Sequence, residues 1–207
     1  MSYTKRAKRP FRMGHRKPPT ERQLAPELVG IRQDHVERYK FACQFVHGQI
    51  IDAACGCGYG SHMLATQADK PIDSVLGLDI SEEAIEYAKT HWGAPNLIFR
   101  QEDLSNSIEP GDWLVSFETL EHLDDPLDVL FGFFACEHAI VSVPNSREVP
   151  FDREQFPFHK KHYTKEELRD MMATAGFGSL QFFGQKDTTS RVGEYTDDCR
   201  TIICVSY

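Results

Sequence analysis

The stretch "IIDAACGCGYGS", residues 50–61, constrains this chain more than any other. An apolar run ends in Asp52, and glycines then take alternate positions, Gly56, Gly58 and Gly60. Glycine weakens regular elements and is tolerated where φ is positive or where another group approaches the main chain closely. An apolar strand entering such a loop, with the helical "GSHMLATQA" directly after it, reads as the opening βα unit of a parallel sheet. A loop of this kind is built for contact with a ligand.

The rest of the chain keeps that alternation. "DSVLGLDI", "NLIFRQED", "DWLVSFET" and "HAIVSVPN" read as further strands. Between them, Ser81 caps "EEAIEYAKTHW", and "LDDPLDVLFGFFA" reads as a helix whose Phe131, Phe133 and Phe134 are core. "TKEELRDMMATAGF" carries Thr164 as cap, Glu167 at the capping-box position and Gly176 as stop. "GSLQFFGQ" and "RTIICVSY" follow with no helix between them, which predicts an antiparallel pair and one reversed edge region. Upstream, "ERQLAPELVGIRQDHVERYKFACQFV" reads as one or two helices ended by Gly48, with Val36, Tyr39, Phe41, Cys43, Phe45 and Val46 on the apolar face. The expected fold class is α/β: a Rossmann-like, mostly parallel sheet with helices on both faces.

A length of 207 residues suits one α/β domain. The first 20 residues hold seven Lys or Arg and no acid, whereas the remaining 187 carry 16 basic and 31 acidic side chains. Residues 1–20 are therefore expected to be a basic tail, and 21–207 a single domain with an N-terminal helical cap. Residues 1–18 could hold nucleic acid through phosphate contacts, or remain a solvated leader beside an acidic body. The six cysteines form no CxxC pair and read as reduced thiols of a cytoplasmic protein. No run approaches the roughly 18 apolar residues of a membrane span, and no secretory leader is expected.

In an open parallel sheet, ligands bind beyond the carboxyl ends of the strands. The loop here is GxGxG rather than GxGxxG, and Asp52 stands just before it. A carboxylate there repels a pyrophosphate and favours a cation. Asp79 closes the second strand, where it can accept hydrogen bonds from ribose hydroxyls, and Asp103 at the end of the third is placed for an adenine edge. An amino acid, a ribose and a base are the three parts of S-adenosylmethionine.

Through "IIDAACGCGYGS", "GLDIS", "EDL", "SFETLEHLDDP", "VSVPN" and "FHKKHYTKEELRDMMATAGF", the chain from about residue 20 onward resembles the class I S-adenosylmethionine-dependent methyltransferases. The resemblance implies a seven-stranded sheet with its last strand antiparallel. It also implies a cofactor loop in which Asp52, Ala53, Gly56, Gly58, Tyr59 and Gly60 surround the methionine portion. Asp79 and Ile80 would meet the ribose, Asp103 and Leu104 the adenine, and Phe117 and Glu118 would lie beside the reactive methyl.

Methyl transfer needs an aligned acceptor and, for a hydroxyl, a nearby base. Glu121, His122 and His159 are the expected catalytic residues, with His162 more structural and with His35 and Tyr39 able to close over the methionine end. Glu118, Glu121 and His122 could instead hold a divalent metal, because ExxEH resembles the ubiquinone-pathway and small-RNA 2′-O-methyltransferases; across the class the same segment also serves simply as pocket wall. The Asp/Asn-Pro-Pro-aromatic run of amino-type DNA methyltransferases is missing, as is the Pro-Cys of the cytosine-C5 type. O-methylation of a small or carbohydrate-like acceptor is the reading carried forward. An RNA-directed 2′-O-methyltransferase and a non-catalytic cofactor-binding accessory protein stand as alternatives. The acceptor and the oligomeric state are not legible.

Overall fold

The computed structural model describes residue 25, residues 27–107 and residues 109–207. The expected basic tail, residues 1–20, lies outside the described residues. Eight strands form one sheet in the order β3-β2-β1-β4-β5-β8-β6-β7. The strands are β1 (Gly48–Ala53), β2 (Ile72–Asp79), β3 (Leu97–Gln101), β4 (Gly111–Phe117), β5 (Cys136–Pro144), β6 (Leu180–Gln185), β7 (Gly193–Glu194) and β8 (Thr201–Ser206). The helices are α1 (Gln33–Ala42), α2 (Tyr59–Gln67), α3 (Glu82–His91), α4 (Pro126–Gly132) and α5 (Lys165–Thr174).

Strand order reverses between β1 and β4, and these central strands pair in parallel. β8 runs antiparallel to both β5 and β6. The reversed strand is thus internal, where the sequence predicts a reversed edge. The eighth strand beyond the expected seven is the two-residue β7 on the outer side of β6. Two residues are too few to leave a periodic signature.

Both sheet faces are covered, so consecutive strand residues serve different layers. Ile50, Val115, Ile203 and Val205 pack with Tyr39, Met63, Leu64 and Ile85 on the side of α1, α2 and α3. Ile51, Leu114, Ile202 and Cys204 pack with Leu130, Leu168 and Met172 on the side of α4 and α5. The expected capping box of α5 forms, with the Glu167 N–H donating to Thr164 Oγ1 and the Thr164 N–H to Glu167 Oε2; a cap of this kind contributes about 1 kcal/mol. Three local expectations change. Gly48 opens β1 instead of stopping a helix, since α1 ends at Ala42. Of the three phenylalanines expected in the core, only Phe133, at the end of α4, is buried, while Phe131 and Phe134 are exposed. All six cysteines are buried free thiols.

The glycines of the first loop divide by role. Gly58 has φ of 88° and stands before α2; a Cβ there would lie 2.5 Å from Ala88 Cβ and 2.7 Å from Phe99 Cζ. A Cβ on Gly60 would fall 1.9 Å from Tyr39 Cζ, so this glycine lets the Tyr39 ring lie directly on the first turn of α2. Only Gly56 has open space where its Cβ would stand.

Gly58→Ala meets both a left-handed backbone and rigid neighbours. It is expected to lower unfolding free energy by about 2–4 kcal/mol, combining overpacking with backbone strain. Gly56→Ala, which meets strain alone, should cost less than half as much by urea denaturation.

Candidate active site

The carboxyl ends of the strands and α1 enclose a cleft of about 700 Å³. Its floor on the β1–β3 side is Cys55, Gly56, Asp79, Ile80, Asp103 and Leu104; Phe117, Glu118, Glu121 and His122 rise from β4 and the 3₁₀ turn Leu120–His122. Of the residues expected to contact a cofactor, Gly56, Tyr59, Asp79, Ile80, Asp103, Leu104, Phe117 and Glu118 line this space. Asp52, Ala53, Gly58 and Gly60 lie beneath it, packed in the interior.

Asp52 is fully buried; its carboxylate accepts from Ser61 Oγ at 2.6 Å and from Tyr39 Oη at 3.1 Å. Burial pushes its pKa up to about 7, against the pull of those two hydrogen bonds. Asp79 stands at the cleft surface, where Oδ2 accepts the Gly56 N–H at 2.9 Å and Oδ1 the Ser81 N–H at 2.8 Å. One carboxylate therefore holds the glycine loop and the start of α3 together at the tip of β2. Asp103 is exposed and caps its own turn through the Ser105 N–H and hydroxyl, which hold its pKa below the usual range.

Beyond β4 the chain is strained at a non-glycine residue. Glu118 has φ of 51°, and its N–H points at Ser142 while Ser142 Oγ donates to Glu118 Oε1 at 2.8 Å. Such conformations persist where the surroundings over-determine them, frequently at functional sites. The ExxEH segment is thereby split. Glu118 is tied to β5, while Glu121 and His122 turn toward His159. One ligand atom each from Glu121, His122 and His159 lies within 4.8 Å of the others.

The histidine tautomers follow from their partners. His162 Nδ1 is 2.6 Å from the Val149 carbonyl, which can only accept, so the proton sits on Nδ1 and the lone pair on Nε2. His159 Nδ1 is 2.8 Å from that Nε2 and must donate to it, which leaves the His159 lone pair on Nε2. His122 Nδ1 likewise donates to the Phe158 carbonyl at 3.1 Å. Burial and the neighbouring imidazoles lower the His159 pKa to about 4, so it is neutral at pH 7. The His122 and His159 imidazoles, each oriented through Nδ1, converge with the buried Glu121 carboxylate. This is a donor set for a divalent cation, with the outer hydrogen bonds that metal-binding histidines use.

Sequence reasoning passed over Arg38, Ser61 and Gln185. Arg38 stands between His35 and Tyr39 on α1, and the i, i+3 spacing of His35 and Arg38 places both toward the cleft that they line. Gln185 carries no signal in the sequence, because its partners Arg38 and Asp34 are distant in the chain, and Ser61, nine residues after Asp52, has no spacing rule that pairs the two.

Residues 50–135 match the family model described as a methyltransferase domain. Among curated proteins, the chain is 28% identical over 167 residues to the "Probable S-adenosylmethionine-dependent methyltransferase" of Mycolicibacterium smegmatis, covering 74% of this chain and 61% of that protein. The chain thus spans about three fifths of the length of this relative. Among solved structures it superposes on a chain of the Haloferax volcanii complex between the Trm112 methyltransferase activator and a candidate methyltransferase, with a TM-score of 0.69, 19% identity and coverage of 84% and 89% of the two chains. It also superposes on a small-RNA methyltransferase, HEN1, with a TM-score of 0.64, 19% identity and coverage of 83% of this chain and 25% of that one. At these identities the two superpositions establish the fold.

The native Asp52 carboxyl keeps its proton up to about pH 7, whereas in the unfolded chain it releases the proton near pH 4. Its contribution to stability is therefore present at low pH and lost as pH rises through that window. The unliganded protein is expected to lose thermal stability between about pH 4 and 7. Asp52→Asn should flatten that slope, as read from denaturation midpoints across the range.

Proposed function

We propose that this chain, a member of the class I S-adenosylmethionine-dependent methyltransferases, moves the methyl group of that cofactor to an oxygen of a small-molecule acceptor. The observation that carries the reading is the single cleft, in which the glycine loop and the tips of β2, β3 and β4 share one wall with a cluster of bases. The cofactor residues fit: the Asp79 carboxylate lines the cleft beside Gly56, Ile80 and Leu104 offer apolar surface, and Phe117 stands at the end of β4.

When bound, S-adenosylmethionine supplies a methyl already activated by a sulfonium sulfur. The protein then has to orient, to exclude water and to take a proton. Phe117 is wedged edge-on against the Tyr39 ring at 5.0 Å, closing the floor between β4 and α1. An acceptor hydroxyl placed above Phe117 faces His122 and His159, whose rings are 4.6 Å apart. His159 Nε2 is the proton acceptor, and its Nδ1–H is steadied by His162. Alignment of this kind can contribute roughly 7–11 kcal/mol to a transfer, and the base a further factor of about 10²–10⁴.

A second reading is favoured by the Glu121, His122 and His159 cluster. These residues would hold a divalent cation, which would bind adjacent hydroxyls of a ribose-like acceptor and act as a Lewis acid there. An RNA-directed 2′-O-methyltransferase has this requirement, and residues 1–18 would supply phosphate contacts in it.

Calorimetry with S-adenosylhomocysteine is expected to give binding that Asp79→Ala weakens by about 1.5–3 kcal/mol, the cost of losing charge-assisted hydrogen bonds. Absence of binding by the native chain would refute the cofactor assignment. His159→Ala should slow S-adenosylhomocysteine production 10²-fold or more with little change in cofactor affinity. Manganese titration separates the two readings. Binding lost in His159→Ala, together with turnover abolished by EDTA, favours the metal; turnover unaffected by EDTA favours the general base. Loss of RNA binding on deleting residues 1–18 would extend the metal reading to RNA.

A further inference from the structure

Arg38 is the largest fully buried polar side chain among the described residues, with 1% of its surface exposed, and it stands in the cleft wall. Its Nη1 donates to Gln185 Oε1 at 2.8 Å, and Gln185 is itself fixed by donating to the carbonyls of Asp34 and Ser190. Its Nη2 is buried without a hydrogen-bond partner. A buried guanidinium donor left unmatched is costly, and such groups are retained where something else completes them.

The charge around Arg38 is equally incomplete. The nearest carboxylate is Asp34, 3.8 Å from Arg38 Nη1, but Asp34 is already engaged by Arg32 through contacts of 2.6 and 3.1 Å. Two guanidinium groups thus share one carboxylate. The other acids nearby are committed elsewhere: Glu37 to Gln33, Lys40 and Arg191, and Asp187 to Thr189. His35, on the same face of α1, is held neutral by burial and by the two arginines. Among the described residues, Arg38 therefore has no carboxylate within hydrogen-bond distance, and its one side-chain partner is the neutral Gln185.

Arg38 lies within electrostatic reach of Tyr59, but the partner that fixes it stands apart from the acids at the strand tips. Asp79 and Asp103 lie at the tips of β2 and β3, on one side of the β1/β4 reversal. Gln185 ends β6, three strand positions beyond β4 on the other side, where it pairs with Thr201. Arg200 is exposed and lines the same cleft.

We propose that Arg38 is a specificity residue, which binds a carboxylate on the methyl acceptor and so selects carboxylate-bearing acceptors. The inference rests on the reading of the cleft as a methyltransferase site and names the acceptor class for it. The carboxylate is a handle, held on the β6 side, while the atom to be methylated reaches back to Phe117 and His159.

The test uses acetate, benzoate and octanoate with their amides as matched neutral probes, titrated into the full chain with and without saturating S-adenosylhomocysteine. At least one carboxylate is expected to bind tenfold or more tightly than its amide. Arg38→Met should abolish the preference and Arg38→Lys should retain part of it, with both variants checked by thermal denaturation. The native-chain arms need no substitution, so a preference below tenfold for all three pairs overturns the proposal even if a variant does not fold. A preference that survives in Arg38→Met overturns it as well. So does a tenfold loss of S-adenosylhomocysteine affinity in Arg38→Met with methylthioadenosine affinity unchanged, because the guanidinium would then hold the carboxylate of the cofactor. Failure of the native chain to bind S-adenosylhomocysteine would instead count against the methyltransferase reading, and the arms without nucleoside keep the two failures apart.

Discussion

One buried carboxylate organises the centre of this molecule. Asp52 joins three elements that are apart in the chain: its own strand β1, the Ser61 hydroxyl of α2 and the Tyr39 hydroxyl of α1. The Tyr39 ring can reach it only because Gly60 has no side chain, and the same ring then meets Tyr59 and Phe117. Removing any one of these contacts would release the others, since α1 has few polar ties to the sheet besides Tyr39 and the Arg38–Gln185 pair. The position of α1 is thus set by an acid buried beneath the cleft.

This bears on what a sequence discloses. The alternating elements were readable because parallel strands are apolar runs and their helices carry caps at Ser81 and Thr164. The internal place of β8 was not, because pairing order is decided by contacts between segments and not by their composition. At the site, the acids at strand tips could be found from order alone, and Asp79 and Asp103 are where that reasoning puts them. Asp52, Gly58 and Gly60 were legible as special but not as structural, since a glycine beside a ligand and a glycine beside a tyrosine ring look alike in one dimension. The tautomers of His122 and His159 depend on the carbonyl of Phe158 and on His162, and no spacing rule supplies those.

The cleft is electrostatically divided. Its β1–β3 side presents Asp79 and Asp103, with the protonatable Asp52 behind them, while its α1–β6 side presents Arg32, Arg38 and Arg200. A sulfonium nucleoside and an anionic partner would therefore be sorted to opposite ends before any close contact forms. Steering of this type depends on ionic strength, and it acts on encounter more than on the strength of the final complex.

The placement of β8 has a consequence for biosynthesis. Residues 201–206 are buried to the last position and sit between β5 and β6, so they are a keystone and not a trim. Until they leave the ribosome, β5 has one bare edge and β6 has no neighbour in the main sheet. Before β8 is in place the domain keeps a hydrophobic strand edge open to other chains, and closing the sheet requires inserting that strand between β5 and β6.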